Sequence, residues 1–83
     1  MENVKFEILN ENLGKEKYYA LVKISLSGRT AYCILVDDDS LAVEGIGDEY
    51  SRAEEIYGTL SCAEVSSIHL GDVIRDMQNE IFI

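Results

Sequence analysis

The chain has 83 residues, 47% of them apolar, with two cysteines, no proline, no tryptophan and a formal net charge of −9 at pH 7. That length holds one domain near the size at which a single core only just suffices, so a second chain is a common supplement. No apolar run approaches the roughly 20 residues that cross a bilayer, and two thiols without a CxxC pair do not make a disulfide framework.

The charge is divided unevenly. Up to Val36 five basic residues face four acidic ones, and after it only Arg52 and Arg75 oppose twelve carboxylates. The acidic part repels nucleic-acid phosphates and anionic lipid, so neither nucleic acid nor a membrane is expected as a direct partner. It suits a solvated helical surface; attraction of a basic partner, or mimicry of a nucleic-acid duplex, is the sharper alternative. No secretory pattern follows Met1, so the expected setting is cytoplasmic, with Cys33 and Cys62 reduced and packed as small apolar residues.

Val4, Phe6 and Ile8 alternate with Lys5 and Glu7, which predicts a half-exposed first strand. Asn10 to Glu16, polar and containing a glycine, reads as the link after it. From Tyr18 to Val36 the chain is dense in β-branched and aromatic residues and breaks only at Ser27-Gly28-Arg29, as a hairpin does. Asp37 to Ser40 is a turn, and Leu41 to Ile46 a shorter fourth strand with an irregularity at Gly45. At Ser51 the period changes. Ser51 and Glu54 have capping-box spacing, and Ala53, Ile56, Tyr57 and Leu60 share one side of a helix that fades by Ser61 to Glu64. Leu70, Val73, Ile74, Met77 and Ile81 form the stripe of a last helix from about Ser67 to Ile81. Its cap is Ser66, with Val65 and Leu70 as the hydrophobic staple, or His69, with Ile68 and Val73.

This is one α+β domain over residues 1–83, strand-rich over 1–46 and helical over 51–81: an antiparallel sheet of about four strands followed by two C-terminal helices packed on one face. Both faces of the central hairpin are apolar. Ala20, Val22, Ile24, Leu26, Ala31, Cys33 and Leu35 alternate with Tyr19, Leu21, Tyr32, Ile34 and Val36. Two helices cover one face. About five large apolar side chains left wet on the other would forgo roughly 7 to 15 kcal/mol, comparable with the whole stability of such a domain. One face is therefore expected to be buried against another copy or another protein. Periodicity leaves open which face the helices take; the candidate interface is Tyr19, Leu21, Tyr32, Ile34 and Val36.

No competent catalytic set is present, and neither cofactor nor metal is expected. An EF-hand loop begun at Asp37 would place Ala42 and Asp48 where glycine and glutamate are required. Gly45-Ile46-Gly47 precedes a helix, as a phosphate loop does, but Asp48 and Glu49 follow and would repel the anion. His69 is the single histidine, with Asp72 and Asp76 three and seven residues on. That set is the candidate site for acid–base or metal chemistry, against a helix-start histidine as the plainer role. Cys62 and His69 could meet across the link between the helices.

The stretch Val65-Ser66-Ser67-Ile68-His69-Leu70-Gly71-Asp72-Val73-Ile74-Arg75-Asp76 resembles the end signature of a family of short acidic bacterial proteins catalogued as a domain of unknown function. There a Val-Thr/Ser-Pro-x-His-Leu-x-Asp-Val pattern follows a strand-rich first half and a helix. Ser67 stands here where that pattern has proline. The resemblance implies no activity or cofactor; it implies a bacterial cytoplasmic setting and draws attention to His69, Leu70 and Asp72. The expected function is that of a non-enzymatic interaction or regulatory module, a homodimer or a protein bound through its sheet. The alternative is a small-ligand or metal-binding protein, or a minor enzyme, using His69 and Asp72.

Overall fold

Ser27 and Gly28 both have positive φ, 51° and 78°. Two such residues in succession make the tight hairpin turn whose twist matches that of the strands it joins, and the second costs nothing because glycine lacks a Cβ. Around this turn the computed structural model, which describes residues 3–79, builds four strands and two helices. The strands are β1 (Val4–Leu13), β2 (Tyr18–Leu26), β3 (Arg29–Asp37) and β4 (Leu41–Gly47); α1 (Tyr50–Cys62), a 3-10 turn at Ser67–His69 and α2 (Leu70–Asn79) follow. The strands pair antiparallel in the order β1-β2-β3-β4, and both helices lie on one face. This is the α+β architecture expected from the order of periodicities. Ile81, the last member of the helical stripe, lies outside the described residues.

Two interruptions of register shape the helix-side face. Ile8 pairs with Val22 but Asn10 with Leu21, so Leu9 is an extra residue; Cys33 pairs with Gly45 but Tyr32 with Gly47, so Ile46 is another. Alternation from Ile8 and Gly45 puts Leu9 and Ile46 on the helix side, and each bulge keeps the next residue, Asn10 or Gly47, on that side too. Leu9 and Ile46 join a core of Tyr19, Leu21, Tyr32, Ile34 and Val36 beneath Ala53, Ile56, Tyr57, Leu60, Leu70 and Ile74. This corrects the candidate interface. Tyr19, Leu21, Tyr32, Ile34 and Val36 are 9% exposed or less and pack against the protein's own helices. With Leu9 and Ile46 added from the flanking strands, that face is the fuller one.

Three local expectations also change. β1 runs on to Leu13 instead of ending near Ile8, because Glu11, Asn12 and Leu13 pair with Ala20, Tyr19 and Tyr18, and Tyr18 Oη donates to Glu11 Oε2 at 2.5 Å. Ladder pairing outweighs the poor strand propensity of asparagine and glutamate. The predicted capping box does not form. Helix α1 begins at Tyr50, Ala53 N–H already bonds Glu49 C=O, Ser51 Oγ donates to Glu49 Oε1, and the Glu54 carboxylate accepts from Tyr50 Oη. Finally Cys62 is exposed, whereas Cys33 is buried.

Helix α1 ends in a Schellman arrangement. Val65 N–H bonds Leu60 C=O and Glu64 N–H bonds Ser61 C=O, both at 3.3 Å, with Glu64 left-handed at φ 54°. A side chain in that region costs about 1 kcal/mol or more relative to glycine. Lys17 Nζ donates to the backbone oxygen of Glu64 at 2.9 Å, a bond that glycine would keep. Glu64→Gly is therefore expected to stabilise the protein by about 1 kcal/mol and raise Tm by roughly 4–8 °C, read by calorimetry. An unchanged or lower Tm would refute this account of the helix end.

Candidate functional site

The His69 set does not assemble. His69 closes the 3-10 turn through its backbone N–H, which bonds Ser66 C=O, and its ring is exposed. Asp72 and Asp76 are exposed one and two turns later, and Asp72 lies 3.8 Å from Arg75. Among the described residues no three His, Cys, Asp or Glu side chains converge as metal ligands would. Nor do Cys62 and His69 hydrogen-bond. The start of the last helix follows the Ser66 frame: Val65 and Leu70 both pack into the core, while Ile68 is 80% exposed.

The polar convergence that does form is one that spacing concealed. In the turn between β3 and β4, Asp38 Oδ1 accepts from Ser40 N–H at 3.1 Å, a local Asx turn. The same carboxylate reaches across to the last helix, where Ser67 N–H donates to Oδ2 at 2.9 Å and Ser67 Oγ to Oδ1 at 2.7 Å. Ser67 Oγ has one proton and spends it on Asp38, so Ser40 Oγ is the donor in the 2.7 Å contact between the two hydroxyls. These bonds hold the Asp38 carboxyl at about 2 against its ordinary 3.8, the Ser67 hydroxyl contributing most. Asp38 thus caps a helix start from another element. A proline at 67 would have no N–H to offer it. Three internal hydrogen bonds fall on this carboxylate, which makes the junction a structural clasp.

The remaining feature is the sheet face away from the helices. In register across the strands it carries five rows: Val4, Leu26, Arg29; then Phe6, Ile24, Ala31; then Ile8, Val22, Cys33, Gly45; then Glu11, Ala20, Leu35, Val43; and last Leu13, Tyr18, Asp37, Leu41. Ala20, Val22 and Cys33 are buried by their neighbours and form a small second cluster. Around them Phe6 is 70% exposed, Ile8 56%, Val43 53% and Leu41 63%. Burial pushes the Cys33 thiol above its ordinary pKa, which keeps it protonated and unreactive.

No element of the described chain lies over this face. Several acidic residues of the second half sit elsewhere, Glu49, Glu54 and Glu55 at α1 and Asp72 and Asp76 on α2, all exposed, while Asp37 lies at one end of this face. The protein is therefore two-sided, with a charged helical side and an apolar sheet side. Along β3 the apolar side is flanked by Arg29 at one end and Asp37 at the other, both exposed, and neither forms an ion pair among the described residues. Among the described residues, no helix is long and apolar enough to cross a membrane. Comparison with protein-family models, curated proteins and solved structures finds no match to this chain.

Proposed function

We propose that this protein is a non-enzymatic interaction module that self-associates through the open face of its sheet. The supporting observation is the contiguity of Val4, Phe6, Ile8, Leu26, Leu41 and Val43, each at least 37% exposed, around the Ala20, Val22 and Cys33 cluster. Four strands about 4.8 Å apart and about 30 Å long present roughly 550 Å² of flat area, before side-chain relief is counted. Monomeric proteins rarely leave a larger apolar patch open, and a standard interface takes roughly 800 Å² per partner. The acidic helical side keeps the assembly soluble and directs association to the sheet.

Sedimentation equilibrium at micromolar concentration is the test. A dimer is expected, and Phe6→Ser with Val43→Ser should convert it to a folded monomer, because both side chains are more than half exposed and contribute little to the protomer's own core. A wild-type monomer at 100 times that concentration, failing also to bind an apolar dye, would overturn the proposal.

A further inference from the structure

The open face also specifies how two copies meet. Resting on the self-association just proposed, we infer that the second copy docks sheet to sheet with each strand lying antiparallel over its own counterpart. The two-fold axis then runs across the row Ile8, Val22, Cys33, Gly45, and Arg29 of each copy meets Asp37 of the other.

A homodimer joined by one patch uses it twice, so the axis lies in the plane between the sheets. Two orientations keep the strands of aligned sheets near one another. With the axis along the strands, each end of the sheet meets the same end of the other copy. Arg29 then lies over Leu26 of the second copy and Asp37 over its Tyr18, leaving both charges over uncharged residues.

With the axis across the strands, the ends exchange and β3 lies over β3 of the second copy. Arg29 and Asp37 are the first and last residues of β3, and Cys33 stands midway between them. The strand is thus self-complementary in charge about its centre, giving two ion pairs per dimer at opposite rims. The same exchange places the row of Phe6, Ile24 and Ala31 over the row of Glu11, Ala20, Leu35 and Val43, with Phe6 over Glu11 at the β1 edge, where Tyr18 Oη donates to the carboxylate. Ala31 leaves a depression bordered by Ile24, Leu26, Arg29 and Thr30. In this orientation Leu35 of the second copy fills it, while Ile24 lies over the small Ala20 of the other sheet. At the axis Gly45 adds no side chain, so the sheets can approach to the usual ~10 Å. Large residues over small ones are what interdigitating layers require.

The test is a charge exchange read by sedimentation equilibrium at low salt. Arg29→Asp and Asp37→Arg should each weaken dimerisation about tenfold, since two attractive pairs become two repulsive ones, and the double variant should return to within about threefold of wild type. Circular dichroism should report all three folded, because Arg29 and Asp37 are exposed and make no side-chain hydrogen bond among the described residues. A wild-type dimer whose double variant is as weak as the two singles combined would overturn the antiparallel arrangement while leaving self-association intact. A wild-type monomer, or a stoichiometric complex with a different protein, would overturn both.

Discussion

Ile34→Ala is expected to destabilise the protein by about 2–5 kcal/mol at every protein concentration. Ile34 lies at the centre of β3, is fully buried, and belongs to the cluster beneath both helices. Truncating it removes apolar burial and leaves a cavity that helices anchored elsewhere cannot close. Arg52 Nη2 donates to Met77 C=O and Tyr19 Oη to Val65 C=O, and these bonds hold the helical layer in place. A domain of this size has roughly 4–12 kcal/mol in total, so the variant should be partly unfolded at 37 °C. Residue size alone would rank Phe6→Ala as the more severe change. It is expected to cost far less in dilute solution, because Phe6 is 70% exposed. Its cost should grow as protein concentration rises and the dimer forms. Urea denaturation of both variants at two concentrations separates these behaviours. Equal costs for the two in dilute solution would contradict the assignment of faces.

The second large effect concerns the clasp. Asp38→Ala should lower Tm by several degrees, more than alanine at Asp37 or Asp39, because it strands the Ser67 N–H at the helix start and removes the partner of a buried serine. The pH dependence has a definite sign. Asp38 titrates at about 2 in the folded protein and at its ordinary 3.8 when unfolded, so its contribution is complete above about 4 and is lost as pH falls toward 2. Between pH 5 and pH 2 the wild type should therefore lose stability more steeply than Asp38→Ala. Thermal melts across that range check it, and parallel curves for the two proteins would show that the carboxylate does not clasp the helix.

These two residues mark different limits of what a sequence reveals. That Ile34 is buried was legible from alternation, since each hairpin strand places every second apolar residue on the same side. That it faces the helices was not. The hairpin's alternation is symmetrical, and which of its faces Leu9 and Ile46 complete depends on the register that β1 and β4 take against it. Asp38 was legible as a turn residue through Ser40 two positions on. Its larger role depends on Ser67, 29 residues away in the chain. The His69 set, by contrast, looked compact in sequence and is spread over an exposed surface.

What the sequence by itself determined was the order of elements, the hairpin turn, the helical stripes and the presence of more apolar surface than two helices can cover. Each follows from a period of two or 3.6 residues, or from a turn residue's own backbone, and is complete within a dozen positions. The tertiary structure alone decided which face lies under the helices, how far β1 extends, where α1 begins and which carboxylate holds the last helix. Those outcomes depend on contacts between residues far apart in the chain, whose energies exceed local preference once the sheet has brought them together.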